Sequence, residues 1–198
     1  MHVVADGVVA PEKDFILPFI LNEADLHGRV VRLADTVNQI LRQHDYPKPV
    51  ANLLGEALIL TALLSAALKF EGVFTLQAKG DGPVSFLVCD ATESGALRGY
   101  AKVDGDIPDN DGAGTPLRNL LGEGYLAFSV DQGDHTDRYQ GIVELDGETL
   151  EECVHHYFRQ SQQFQAAVKV TVLKFHQRAA TGALNGRAGE DTIHAEWV

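Results

Sequence analysis

The residues best suited to chemistry are Cys153, His155 and His156. On a helix, Cys153 and His156 stand one turn apart, the pairing from which a thiolate nucleophile is made. Such a nucleophile also needs an accessible thiol and a third group that orients the base. Leu150, Cys153, Val154, Tyr157 and Phe158 instead place the cysteine on the apolar face of an amphipathic helix, and no orienting group is in view. The pattern supports a structural cysteine. Cys89 alternates onto the strand face opposite Phe86 and Val88, with no partner in the sequence.

Two acidic loops invite a metal. Asp104, Asp106, Asp109 and Asp111 precede Gly112, but a calcium loop in that register would put Ile107 at its first ligand position and Arg118 at its last. Asp131, Asp134, His135 and Asp137 crowd a hairpin connection, where polar residues are ordinary. Both read as solvated loops. Gly80-x-Gly82 and Gly122-x-Gly124 are turns, since neither opens a helix after a strand with phosphate-binding spacing. There is no Gly-x-Ser-x-Gly, no His-Glu-x-x-His and no Cys-x-x-Cys. No catalytic and no metal residue is therefore expected, and a binding function is favoured over catalysis.

The element that must organise the rest is the stretch from Pro49 to Phe70. Between Val50 and Leu68 only Glu56 is charged, and Leu and Ala dominate, which predicts a helix over about 50–69. Pro49 suits its first turn and Gly72 its end. The helix is apolar nearly all round, so it must be buried on every side or lie in a membrane. Glu56, Asn52, Thr61 and Ser65 favour a water-soluble core.

Strands are expected on both sides of it in sequence. Before it come Phe15–Leu21, an edge strand broken by Pro18, then Gly28–Leu33 and a short helix capped by Asp35 with Val37, Ile40, Leu41 and His44 on one face. After it come Val73–Lys79, Val84–Cys89 and Ala96–Val103 as an antiparallel meander. Phe74, Leu76 and Ala78 share one face of the first; Val84, Phe86 and Val88 share one face of the second. Thr115-Pro116 starts a one-turn helix, and Tyr125–Val130 with Arg138–Leu145 form a hairpin. Thr149 and Glu152 make a capping box for the last helix, and Ala166–Leu173 alternates as a strand. The fold class is α+β, a three-layer β/α/β core with a buried central helix between antiparallel sheets.

A chain of 198 residues buries roughly 70% of its unfolded surface and needs no staple. Its net charge of −12 argues against nucleic acid and anionic membranes as partners. Two cysteines are too few for a disulfide framework, and the N-terminus carries no basic start or long apolar run. A cytoplasmic location is expected.

Several of these stretches, in order, resemble one family. His44-Asp45-Tyr46-Pro47-Lys48-Pro49-Val50, the Leu/Ala-rich helix and Leu68-Lys69-Phe70-Glu71-Gly72 are similar to the core of heat shock protein 33, the redox-regulated holdase chaperone. So are Gly80-Asp81-Gly82-Pro83, Leu97-Arg98-Gly99-Tyr100-Ala101, Gly122-Glu123-Gly124-Tyr125, and Arg138–Val143 through Tyr157–Ser161. The resemblance runs from about Phe15 to Gln163. It implies a bacterial cytoplasmic stress-response chaperone without ATPase activity, with unfolding proteins as clients and a homodimer in the active state. It also implies a C-terminal switch domain in which Cys-x-Cys and Cys-x-x-Cys hold zinc. Cys89 and Cys153 match neither motif, so no zinc and no other cofactor is expected of this chain. Pro-Thr after Gln163 is replaced by Phe164-Gln165-Ala166, and Arg187-Ala188-Gly189 keeps only a trace of the family's lead into its closing strand.

The domain reading is a chaperone core over 1–173, with 1–13 a loose start, and a divergent segment over 174–198 without the zinc switch. Alternation puts Leu87 and Tyr100 on the sheet face away from the helix, which makes them the candidate client-binding residues. Two other classes stay open: an enzyme using Cys153 and a histidine, and a structural assembly subunit.

Overall fold

The computed structural model describes residues 14–68, 70–107, 114–131, 139–162, 166–175 and 192–195. In chain order the elements are strands β1 (Phe15–Leu21) and β2 (Leu26–Arg32) and helices α1 (Asp35–Leu41) and α2 (Lys48–Ala67). Strands β3 (Val73–Gly80), β4 (Val84–Thr92) and β5 (Leu97–Val103) and helix α3 (Leu117–Leu121) follow. Then come β6 (Gly124–Asp131), β7 (Tyr139–Glu144), α4 (Leu150–Tyr157), β8 (Val172–Phe175) and β9 (Thr192–Ala195).

Helix α2 is the middle layer. Its side chains from Val50 through Ala62 are buried on all faces except at Asn52 and Glu56. Each fully buried Leu or Ile there contributes about 1.5–3 kcal/mol. The helix starts earlier than the sequence suggests, at Lys48, because the Pro47 carbonyl accepts from both Val50 N and Ala51 N at 2.9 Å. It ends at Ala67, where Leu68 turns to an extended conformation. The helix is long and apolar enough to cross a membrane, but 67% of its most apolar stretch is buried within the fold.

One layer is a five-stranded antiparallel sheet in the order β5-β4-β3-β6-β7. Phe74, Leu76 and Ala78 pair with Val130, Phe128 and Leu126, and all six are buried. Helix α4 covers the far end of the same face. A Cβ on Gly141 would stand 2.5 Å from the Tyr157 ring, so only glycine lets that ring settle on β7 and pack 4.9 Å from Phe128. Gly99 does the same for α2: a Cβ there would lie 2.9 Å from Leu58. The opposite layer holds the β1–β2 hairpin, α1 and the paired β8 and β9. The β/α/β arrangement expected from the sequence is thus observed.

Four local expectations change. Strand β4 shifts register between Val84 and Phe86, which rephases its alternation. Val84, Leu87, Cys89 and Ala91 therefore point into the core, and Phe86 and Val88 do not. Asp35 does not cap α1; the cap is Asp14, from before β1. Its carboxylate accepts from the amides of Ala34, Asp35 (3.0 Å) and Thr36 (2.8 Å) and from the Thr36 hydroxyl (2.6 Å). Burial pushes the Asp14 carboxyl up, but these four bonds outweigh it and hold the pKa below the usual carboxylate value. The Thr149–Glu152 box forms, with Thr149 Oγ1 accepting from Glu152 N at 3.2 Å, but Glu152 returns its bond to the amide of Glu148 rather than Thr149. Finally, 166–171 is not a strand, and β8 begins only at Val172, crossing position 173. Alternate amides of that segment, Val168 N and Val170 N, donate to the side chains of His155 and Glu151 on α4 instead of to a neighbouring strand.

Candidate functional site

The sequence places most apolar residues where α2 and the sheets can cover them; among the described elements β1 is the largest exception. Phe15–Leu21 is an almost unbroken apolar run that satisfies β-propensity on both faces. Its partner β2 touches the core only near its end, through buried Val31, while Leu26 and His27 at the turn are exposed. The hairpin therefore carries its apolar residues away from the core. Leu17, Phe19 and Leu21 share one face and pair with Val30, Gly28 and Leu26. The Phe19 ring lies over Gly28, where a Cβ would stand 2.0 Å from it. Leu17 and Ile20 are each 56% exposed, and Leu21, Leu26, Ile16 and Phe19 are exposed as well.

On the other face Ile16 pairs with Val31 and lines a cleft of about 730 Å³. The end of α2 and the following turn supply Ser65, Ala66, Leu68, Phe70 and Glu71, and the β4–β5 turn supplies Thr92, Glu93 and Gly95. Leu68 is exposed too. The cleft is mixed in character, with Ile16, Ala66, Leu68 and Phe70 beside Ser65, Glu71, Thr92 and Glu93, while Leu17, Phe19 and Leu21 lie on the opposite face of the hairpin. Exposed apolar side chains gathered on one hairpin are suited to contact with another apolar group, with little demand on sequence.

The two residues singled out by alternation separate. Leu87 is fully buried among the core residues, because the β4 register shift turns it inward; it is corrected from a surface residue to a core residue. Tyr100 is 42% exposed on edge strand β5, with the His44 ring 5.4 Å away in a T-shaped contact. The hairpin residues were the ones alternation missed. Their signal was present as an apolar run that does not alternate and that sits at a sheet edge.

The Cys153 site does not have the form of a nucleophile. The thiol is fully buried, and burial pushes its pKa up to about 11. His156 Nδ1 is 2.7 Å from Asp146 Oδ1, and His155 Nε2 accepts from Val168 N at 2.7 Å, so both rings are engaged elsewhere. Cys89 faces α2, where burial raises its pKa despite a hydrogen bond with the Thr61 side chain. Two buried thiols on separate elements do not fit a zinc site. Among the described residues, no three His, Cys, Asp or Glu side chains are grouped to hold a metal. Asp109, Asp111 and Gly112 of the first acidic loop, and Asp134, His135 and Asp137 of the second, lie outside the described residues.

A family model described as Hsp33 protein matches residues 14–185. The 33 kDa chaperonin of Caulobacter vibrioides (strain NA1000 / CB15N) is 44% identical over 162 residues, covering 80% of this chain and 54% of that protein. The 33 kDa chaperonin of Escherichia coli O7:K1 is 36% identical over 174 residues, covering 88% and 58%. The chain thus spans little more than half the length of the curated relatives it matches. The crystal structure of a 33 kDa chaperonin (heat shock protein 33 homolog) from Thermotoga maritima superposes with a TM-score of 0.73 at 22% identity, covering 93% of this chain and 60% of that one. At that identity the superposition speaks for the fold.

Proposed function

We propose, because this chain belongs to the Hsp33 family, that it is the core of an ATP-independent holdase chaperone. It binds unfolding proteins through exposed apolar surface and keeps them from aggregating, without catalysing a reaction. The observation that carries this reading is the set of exposed apolar residues on the β1–β2 hairpin, Leu17, Ile20, Leu21 and Leu26 among them. Removal of shared apolar area from water supplies the attraction, and it asks only that a client expose such area too. The net charge of −12 keeps the complex soluble and turns away nucleic acid and anionic membranes. Tyr100 is a secondary contact of the same kind on the sheet edge.

The proposed core is residues 1–173 and the proposed location is the cytoplasm. Neither Cys89 nor Cys153 fits a zinc site, so the client-binding role proposed for these residues rests on apolar surface and not on a metal held by them. The active form is proposed to be a homodimer, which sedimentation of the reduced protein reads directly. The test of function is light scattering by a heat-unfolding client with and without an equimolar amount of the reduced chain. Suppressed scattering supports the proposal. Scattering that is unchanged when the chain is verified as folded overturns it and leaves only the fold in common with the family.

A further inference from the structure

Beyond Lys48, Glu56 is the only charged residue of α2, and it stands where three parts of the chain meet. Its Oε1 accepts from Glu151 N at 3.3 Å, and it also takes a bond from the Leu150 amide, both in the first turn of α4. Glu151 passes the connection on. Its Oε2 accepts from Val170 N at 2.8 Å, and its Oε1 lies 3.3 Å from Lys169 Nζ. One turn along α4, His155 Nε2 accepts from Val168 N. The segment 166–175 is thereby strapped across α2, and Val172 settles on Gly55, at 3.5 Å from the place of a Cβ.

The charges around this junction are unbalanced. From α2 it is faced by Glu56 with polar Asn52, from the α4 region by Glu148, Glu151, Glu152 and His155, and from the strap by Lys169. These residues, His155 excepted, line a cleft of about 270 Å³ floored by Leu53, Leu117 and Leu120. Glu151 keeps a cation and an amide for itself, so a second carboxylate beside it gains little from Lys169.

We propose that Glu56, Glu151, Lys169 and the 166–175 strap form a proton-operated clasp, closed while Glu56 is protonated and loosened when it ionises. A neutral Glu56 still accepts from the α4 amides through its carbonyl oxygen and leaves Lys169 to Glu151. An ionised Glu56 sets a second negative charge against Glu151 in a place that water screens poorly, and both compete for one ammonium. The 166–171 part of the strap is the part free to yield, because α4 side chains hold it, whereas 172–175 is paired with β9. Burial is the largest influence on Glu56, and the neighbouring Glu151 adds to it, so the carboxyl titrates at about 7 instead of 4.5.

The sign of the linkage follows. Between pH 4.5 and about 7 the folded chain holds a proton that the unfolded chain has released. That stabilisation is complete below the lower value and is lost as pH rises through the upper one; above it the cost of the buried charge is constant.

The test compares the full chain with Glu56→Gln, which keeps the acceptor oxygen and cannot ionise. At pH 8 the variant is expected to exceed the wild type in folding equilibrium constant by on the order of a hundredfold, and the two should agree within about twofold at pH 4. His155 and its bond from Val168 N are common to both proteins, so their difference isolates Glu56. Amide exchange at Glu151 and Val170 should quicken in the wild type, relative to the variant, as pH crosses 7. Carbon-detected NMR of the Glu56 carboxyl in the unmutated chain gives a reading that does not depend on how the variant folds. A midpoint near 7 supports the clasp. A midpoint near 4.5, or an exchange difference equal at pH 6 and pH 8, overturns it.

Discussion

Helix α2 and strand β1 are nearly equal in apolar content and opposite in fate. Val50–Ala62 is covered by the five-stranded sheet on one side and by β2, α1 and the 166–175 strap on the other. Phe15–Leu21 has a single partner strand, and that partner reaches the core only near Val31. Hydrophobicity alone therefore does not say which residues are core. What decides is whether a second layer covers a strand, and among the described residues none covers the tip of the hairpin. The same physical property thus holds the fold together in one region and remains available for a partner in the other.

The comparison is broken most severely at the helix. Leu58→Ala removes a fully buried side chain that packs on Gly99, and urea unfolding should show a loss of about 2–5 kcal/mol with little change in slope. Asp14→Ala comes next, because Asp14 joins the root of the hairpin to the start of α1. The loss of that cap should cost about 1 kcal/mol at neutral pH. Its carboxyl is held below 3.8, so the wild-type advantage should be complete above pH 3.8 and vanish as pH falls through the lowered value. Equilibrium unfolding of the two proteins from pH 7 to pH 2 measures it.

Leu17→Ser with Leu21→Ser sharpens the contrast from the other side. These residues are exposed, so stability should stay within about 0.5 kcal/mol of wild type, while suppression of client scattering falls by half or more. A double variant that destabilises the fold by several kcal/mol, or that leaves suppression intact, would place the hairpin with the core. Alkylation of Cys153 is expected to have the smallest effect. The thiol is buried with its pKa raised to about 11, so mass spectrometry should find it unmodified in the native chain, with scattering suppression unchanged.

The layered fold was legible because its signals are long. A run from Val50 to Leu68 with one charge permits few environments, and the meander on β3 repeats its alternation often enough to fix a face. The surface was less legible, for a local reason. Alternation in β4 assigns Leu87 to the outside only while the register is unbroken, and the shift after Val84 leaves no mark in composition because Val, Phe and Leu suit either face. Helix α1 shows the limit of neighbouring residues as caps: Asp35 is well placed by sequence, yet Asp14 reaches its amides from across the hairpin. The 166–171 segment alternates as a strand should, and the alternation is real, but its partners are side chains of α4, which no pattern of period two can announce.

The Asp14 contact bears on where this unit can be cut. A gene trimmed to begin at Phe15 would encode every strand and helix described above and would look complete by any count of elements. It would nonetheless lack the carboxylate that closes the first turn of α1 and fixes the hairpin's base to it. A piece that keeps this anchor starts no later than one residue before its first strand, and a single codon separates a well-anchored arm from a hinged one.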